Sequence, residues 1–181
     1  MKRRVGFAYA ALLFTFSLPA AAAPFYGAHF SYMAIAKEPP YMHGFQIMLS
    51  YDPQIFKWRK FDLFFDGGFS HFWITNTPYH TTLNIYSAAP VIRYTFRQRG
   101  PFHPYIEMGI GFAYLNHTYL DDRNLGVHYA FQDRVGVGAY IGTTRQLSLG
   151  VHVMHYSNAH LACYNSGITA PLMVDIGYRF S

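Results

Sequence analysis

The chain is poor in the features that hold most exported proteins together. Cys163 is the single cysteine among 181 residues, so an intramolecular disulfide scaffold is excluded. Charged residues make up 13% of the sequence, about half of the share typical of soluble domains. Beyond the N-terminus, no apolar run approaches the ~18 residues that a membrane-spanning helix needs. A disordered chain is also excluded, because 19% of the residues are aromatic.

The N-terminus has the pattern of a secretory signal peptide. A basic triplet at residues 2–4 precedes an apolar stretch that ends at Leu18, and four consecutive alanines follow Pro19. We expect cleavage after Ala22, which leaves a mature domain of residues 23–181. Cleavage removes three of the 14 basic residues and lowers the net charge from +5 to 11 − 9 = +2. The basic character therefore belongs mostly to an export signal, and no nucleic-acid partner is expected.

Apolar and polar residues alternate with a period of two along the mature chain, which predicts β-strands. In the last segment, apolar residues at the even positions 172–180 alternate with a series that includes Asp175 and Gly177. The predicted strands span residues 25–36, 43–52, 59–74, 81–96, 104–117, 127–142, 146–157 and 170–180. Most of them reach the ~9–11 residues that cross a bilayer at a tilt. One domain of eight strands is predicted.

The composition of the two strand faces favours a barrel in an outer membrane. A consistently apolar face suits hydrocarbon, which offers polar groups no partner. The glycine-rich face then lines the narrow interior of an eight-stranded barrel. The alternative is a soluble, ligand-binding barrel of the lipocalin type with its apolar face inside, but few Lys and Glu residues are available to solvate its outer wall. We therefore predict an all-β fold, an eight-stranded antiparallel up-and-down transmembrane β-barrel located in the outer membrane.

Two polar residues on the seventh strand break the apolar pattern of the lipid-facing wall. His155 and Ser157 have the same parity as Val151 and Val153, so they are predicted to face lipid. They lie roughly 7 Å apart at the backbone, given a rise of ~3.3 Å per residue. A serine activated by a neighbouring histidine is the centre of acyl-transfer chemistry. At the outer end of the strand, such a pair would meet the acyl esters of lipid A.

The sequence resembles the lipid A 3-O-deacylases of the PagL type. The resemblance is clear over the C-terminal half and extends to the N-terminal half only in pattern. It implies an eight-stranded outer-membrane barrel that hydrolyses the ester-linked 3-hydroxyacyl chain at position 3 of lipid A without a cofactor. The matching blocks are Pro104 to Gly111 (PYIEMGIG), Asn124 to Gly126 (NLG), Phe131 to Gly136 (FQDRVG), His155 to Ala159 (HYSNA) and Asn165 to Ile168 (NSGI).

The resemblance also assigns roles to residues of this chain. It implies that Ser157 is the nucleophile, that His155 is the general base and that Asn158 helps to hold the oxyanion. Leu161 keeps its place in the motif, whereas His160 stands where the family has glycine. Asn165 belongs to the neighbouring NSGI block.

The family's acid, a glutamate on the eighth strand, is missing from this chain. Its position falls at Thr169, or at Ala170 if one residue is inserted, and no glutamate follows Glu107. Thr169 can orient the imidazole through its hydroxyl, and Asp133 on the sixth strand is a candidate substitute because it shares the lipid-facing parity.

The expected partners are lipopolysaccharide as substrate and the surrounding outer-membrane lipids. No metal site is predicted, because His152 and His155 have opposite parity and no cluster has the spacing of metal ligands. The competing hypothesis is a catalytically impaired or inactive family member that serves as a structural surface barrel.

Overall fold

Eight long strands build the molecule, as the alternation predicts. The computed structural model describes residues 24–55 and 57–180, except for the side chain of Lys57, and the predicted signal peptide with its cleavage site lies outside these residues. The long strands are β1 (Phe25–Ile35), β2 (Met42–Asp52), β3 (Phe61–Ile74), β4 (Thr82–Thr95), β5 (Phe102–Leu115), β6 (Tyr129–Ile141), β7 (Leu147–Ser157) and β8 (Ile168–Phe180).

The strands close into an up-and-down barrel. Each strand pairs antiparallel with its neighbours along the chain, and β1 also pairs with β8, which closes the sheet. This arrangement confirms the predicted fold. The described part of the chain contains no helix that is long and apolar enough to cross a membrane.

The links between strands give the barrel two distinct ends. Residues 36–41, 75–81, 116–128 and 158–167 connect strands at one end, which we call the loop end. The longest of these links carries two short strands, Tyr119–Leu120 and Arg123–Asn124, which pair with each other. At the opposite end, the strand Lys57–Trp58 pairs with the beginning of β3.

The outer wall is apolar and the interior is polar at mid-height, as the strand patterns predict. Outward residues such as Phe112 and Leu49 are 73% and 64% exposed, although they are hydrophobic. Inside, Arg134 lies 2.5 Å from Asp66 and 3.5 Å from Glu107, and Arg93 also pairs with Glu107. This network neutralises the buried charges within the barrel, as a packed interior requires.

Towards the loop end, the interior becomes an apolar plug. Buried side chains from all eight long strands and the 116–128 link meet there, including Phe72, Tyr156 and Leu125. Tyr156 packs edge-on against Phe72 at 6.1 Å between ring centroids. Because the interior is filled, a substrate that reaches the loop end meets side chains only on the outer wall or in the loops.

An irregularity in β8 changes which of its side chains face outward. From His152 to Met154, β7 advances by two residues, while β8 advances by three from Met173 to Ala170. This extra residue is a β-bulge, which shifts the alternation of the strand. Pro171 lies within it, at a place where a missing backbone N–H is tolerated. Ala170 therefore turns inward with 1% of its surface exposed, and Thr169 turns outward.

Candidate active site

Four of the predicted site residues form one polar patch on the outer wall at the loop end. His155 and Ser157 project outward from the end of β7, and both are half-buried. His155 is paired across the sheet with Asp133 on β6 and with Thr169 on β8. Side chains of directly opposed residues project from the same face of a sheet, about 5 Å apart at Cβ. The barrel therefore brings Asp133, His155 and Thr169 into one row, with Ser157 beside it.

The imidazole of His155 is held by Thr169. Nδ1 of His155 lies 2.9 Å from the Thr169 hydroxyl oxygen, which is hydrogen-bond distance. The family's acid corresponds to Thr169 or Ala170 of this chain. The β-bulge places Thr169 opposite His155 and turns Ala170 inward. With Nδ1 engaged on the β8 side, Nε2 is the nitrogen left to serve as a base.

Gly167 packs against the Nε2 edge of the same imidazole. A Cβ placed on Gly167 would lie 3.3 Å from Cε1 and 3.8 Å from Nε2 of His155. The residue also has a φ of +61°, a backbone conformation that favours glycine. Any side chain at this position would therefore crowd the Cε1–Nε2 edge of the His155 imidazole.

Ser157 lies at the junction between the outer wall and the loops. It borders a small cavity together with Asn158, Asn165 and Gly167. No hydrogen bond joins the Ser157 and His155 side chains in the described structure, and such bonds are often long before substrate binds. The pairing of His155 as base with Ser157 as nucleophile stays a prediction that the shared face supports.

Asn158 is buried, with 3% of its surface exposed, and it organises the loop that follows β7. Its side-chain amide donates to the carbonyl oxygens of Leu125 at 2.9 Å and Tyr164 at 2.6 Å. Its Oδ1 accepts the backbone N–H of His160 at 2.9 Å. Both amide protons are thus engaged with the protein, and the oxyanion role of Asn158 stays a prediction that requires one of these bonds to be exchanged.

The turn after Asn158 is built from left-handed residues. Ala159 and His160 have φ values of +51° and +61°. The side chain of Asn165 supports this turn, because its Oδ1 accepts the backbone N–H of Asn158 at 2.9 Å. Its Nδ2 lies 3.5 Å from Nδ1 of His160. His160 therefore occupies a backbone position that glycine adopts at lower cost.

Asp133 faces outward opposite His155, at the height that a substitute acid would need. Within the described residues, however, its carboxylate makes no hydrogen bond to the imidazole. The Nδ1 edge of the ring is turned towards β8, away from Asp133. The role of Asp133 as an acid stays a prediction.

Two residues that the strand patterns did not single out complete the surroundings of the site. Arg123, in the 116–128 link, donates through Nε to the Gly167 carbonyl at 3.1 Å and through Nη2 to the Ser166 carbonyl. Nη2 also lies 4.0 Å from Oε2 of Glu38, in the link between β1 and β2. The sequence carried one signal for Glu38: it is one of only two glutamates, and the other, Glu107, lies on an inward parity.

The site has no metal-binding character within the part of the chain that the structure describes. No group of three His, Cys, Asp or Glu side chains is placed to hold a metal ion. A polar patch with a histidine, a serine and a hydroxyl partner is suited to proton transfer and nucleophilic attack on an ester.

Comparison with known proteins points to one family. A family model described as lipid A 3-O-deacylase (PagL) matches residues 43–179. The lipid A deacylase PagL of Pseudomonas aeruginosa is 43% identical over 82 residues, 45% of this chain and 46% of that protein. The lipid A deacylase PagL of Bordetella bronchiseptica is 28% identical over 125 residues, 68% of this chain and 64% of that protein.

The fold comparison covers more of the molecule. The crystal structure of the outer membrane enzyme PagL superposes with a TM-score of 0.63 at 27% sequence identity, over 88% of this chain and 99% of that one. In sequence, the matches span about half and just under two thirds of the length of the two curated relatives.

Proposed function

Because the chain belongs to the lipid A 3-O-deacylase (PagL) family, we propose that it hydrolyses the ester-linked 3-hydroxyacyl chain at position 3 of lipid A. The observation that carries this proposal is the position of His155 and Ser157. Both project from the outer wall at the loop end of the barrel, where an otherwise apolar surface becomes polar. The substrate is therefore a membrane lipid approached from the side of the barrel, with lipopolysaccharide as the partner.

The surroundings of the pair suit an amphiphilic substrate. Below His155 on the same face of β7 lie Val153 and Val151, and Val135 follows Asp133 on β6 with 60% of its surface exposed. An acyl chain can lie along this apolar wall while its ester stays at the polar rim. In outer-membrane barrels the longer loops lie on the extracellular side, which places the loop end in the lipopolysaccharide leaflet.

The first chemical step forms an acyl-enzyme. Nε2 of His155 accepts the hydroxyl proton of Ser157 while the serine oxygen attacks the ester carbonyl carbon. The tetrahedral intermediate then collapses, and the C–O bond to the sugar breaks. The imidazolium returns its proton to the leaving sugar oxygen, so the first product carries a free hydroxyl at position 3. Thr169 keeps the imidazole oriented by accepting from Nδ1–H.

The second step restores the enzyme. Water gives a proton to Nε2 and attacks the acyl carbon, and the bond to Ser157 breaks as the serine oxygen recovers that proton. A 3-hydroxy fatty acid leaves, and no cofactor is consumed. The negative oxygen that forms in both steps needs hydrogen-bond donors. We assign Asn158 to this task, with one of its amide protons released from the Leu125 or Tyr164 carbonyl.

Mass spectrometry of lipid A tests the proposal directly. The intact chain is expressed in a Gram-negative host whose lipid A is unmodified, beside Ser157→Ala as the matched variant. We expect the wild type to remove the mass of one 3-hydroxyacyl chain and Ser157→Ala to leave lipid A unchanged. Equal lipid A profiles with both chains present and folded in the outer membrane would overturn the proposal.

One observation favours the rival function, a structural surface barrel without catalysis. Thr169 offers His155 a hydroxyl where the family has a charged carboxylate, and a triad that loses its acid can slow by about 10⁴. The same mass spectrum separates the two functions, because a structural barrel leaves lipid A intact even when it is abundant in the membrane.

A further inference from the structure

Of the two glutamates, Glu38 is the one that lies outside the barrel interior. The other glutamate, Glu107, lies inside the barrel and pairs with Arg93 and Arg134. Glu38 lies instead at the loop end, in the link between β1 and β2, and its side chain is 45% exposed. A carboxylate is therefore present at the same end of the barrel as His155, although it comes from a distant part of the sequence.

The backbone places Glu38 directly beside Thr169. The two residues form an isolated antiparallel β-bridge, in which the Thr169 N–H donates to the Glu38 carbonyl at 2.9 Å. Side chains of directly opposed residues in such a pair project to the same face. Thr169 faces outward to reach His155, so Glu38 projects from that face as well. The order across the wall is His155, then Thr169, then Glu38.

Arg123 keeps this carboxylate near the site. Its guanidinium lies 4.0 Å from Glu38 Oε2 and donates to the carbonyls of Ser166 and Gly167. Gly167 in turn packs against the His155 imidazole. At 4.0 Å the ion pair is loose, so the Glu38 oxygens keep lone pairs that can accept another hydrogen bond.

We propose that Glu38 supplies the negative charge that Thr169 lacks, as a positioning residue that acts on His155 through the Thr169 hydroxyl. This inference rests on the proposed function of the His155 and Ser157 pair. Nδ1–H of His155 donates to the Thr169 oxygen, and the Thr169 O–H donates to the Glu38 carboxylate. No proton moves along this chain. The carboxylate stabilises the positive imidazole that exists while Nε2 carries the serine proton.

Asp133 is the competing source of charge, and its variant is compared directly with that of Glu38. It is opposite His155 on β6, but the engaged Nδ1 edge of the ring points to β8. The hydroxyl that engages Nδ1 belongs to Thr169, whose backbone is paired with Glu38. Removing the charge of Glu38 and removing that of Asp133 are therefore predicted to have different consequences.

The experiment compares Glu38→Gln, Asp133→Asn and Thr169→Val in the full-length barrel, with two readouts. The first is the steady-state rate on purified lipid A, and the second is the rate at which a fluorophosphonate probe labels Ser157. We expect Glu38→Gln to lower kcat and the labelling rate about tenfold with KM unchanged, the size of one charge acting through an intervening group near a surface. Asp133→Asn should lower both rates less than Glu38→Gln does, because the engaged Nδ1 edge of His155 points to β8.

A double variant separates the charge effect from a merely structural one. If Glu38 acts through Thr169, then adding Glu38→Gln to Thr169→Val causes no further loss, because the connection is already broken. Thr169→Glu, which puts a carboxylate against His155, should rescue Glu38→Gln. A structural role for Glu38 predicts the opposite: additive losses and no rescue.

The outcomes that overturn this inference differ from those that overturn the proposed function. Unchanged labelling in Glu38→Gln, or a loss confined to Asp133→Asn, overturns the role of Glu38. If labelling of Ser157 depends on Glu38 but lipid A is not cleaved, the role of Glu38 is supported and the assignment of lipid A as the substrate is overturned. A wild type that the probe does not label overturns both, because no activated serine is then present.

Discussion

The outer wall carries two histidines in matching settings, and only one of them is part of a candidate active site. His155 on β7 and His71 on β3 are four strands apart, both face outward, and both lie near the loop end. Nδ1 of His155 lies 2.9 Å from the Thr169 hydroxyl, and Nδ1 of His71 lies 2.6 Å from Oδ1 of Asn84. Each imidazole is therefore oriented by the strand next to it.

The two settings differ in the residues that flank each histidine on the same face of its strand. Two residues from His155 along β7 is Ser157, whereas the equivalent neighbours of His71 are Phe69 and Trp73. The His71 ring stacks on Trp73 at 5.6 Å between centroids. An oriented histidine on the lipid-facing wall is thus not by itself the feature on which the proposed function depends. The proposed function depends on the serine that shares a face with His155, and His71 has no such neighbour.

Ser157→Ala tests the nucleophile and should have the largest effect. Without the hydroxyl no acyl-enzyme can form, so we expect the deacylation rate to fall at least about 10³-fold. The measurement is release of 3-hydroxy fatty acid from purified lipid A. Ser70→Ala, inside the barrel, is a control for loss of a buried serine hydroxyl. A Ser157→Ala variant that keeps its activity would exclude the serine mechanism.

Thr169→Glu tests the partner of the imidazole and should increase the rate. A carboxylate opposite His155 stabilises the imidazolium more strongly than a hydroxyl does, and we expect kcat to rise between about tenfold and 100-fold. Thr169→Val removes the 2.9 Å hydrogen bond and should lower kcat. A Thr169→Glu variant no faster than Thr169→Val would show that the β8 side of the ring plays no part in catalysis.

His160→Gly tests the turn that follows the nucleophile and should have a modest effect. His160 has a φ of +61°, which costs a non-glycine residue about 1 kcal/mol. Relief of that cost should slow hydrogen exchange of the Leu161 N–H, which donates to the Asn158 carbonyl at 3.0 Å, about fivefold. Faster exchange in the glycine variant would mean that the imidazole side chain itself stabilises the turn.

His71→Ala and Asn84→Ala test whether the second histidine contributes to catalysis. Neither should change the deacylation rate by more than about twofold. The aromatic cluster around His71 contains no nucleophile, so its loss affects only packing on the wall. The measurement is the same fatty-acid release assay, with His155→Ala as the variant that must lose activity. Equal losses in the His71 and His155 variants would indicate that a histidine on the wall matters for lipid binding and not for chemistry.

Much of the architecture was predictable because strand alternation is local. The period of two in segments such as residues 172–180 depends only on which face meets lipid. The same rule identified His155 and Ser157, since a polar residue on an apolar face stands out without knowledge of any contact. The small number of charged residues and the lone Cys163 pointed in the same direction.

The partners of His155 could not be predicted in this way, because pairing between strands is not local. Strict alternation extended from Leu172 would have turned Thr169 inward and Ala170 outward. The hydrogen bonds of the Asn158 side-chain amide could not be predicted either, because their acceptors are the loop carbonyls of Leu125 and Tyr164.

By itself, the sequence determined that this chain forms an eight-stranded barrel with an apolar outer wall, and it singled out the polar pair His155 and Ser157 on that wall. Hydrophobic burial and strand geometry repeat along the chain, so composition and parity are sufficient for that conclusion. Only the tertiary structure decided what surrounds the pair. A β-bulge turned Thr169 towards His155, and closure of the sheet between β1 and β8 brought Glu38 beside it. Register across a barrel depends on every strand at once, and no single segment of sequence contains it.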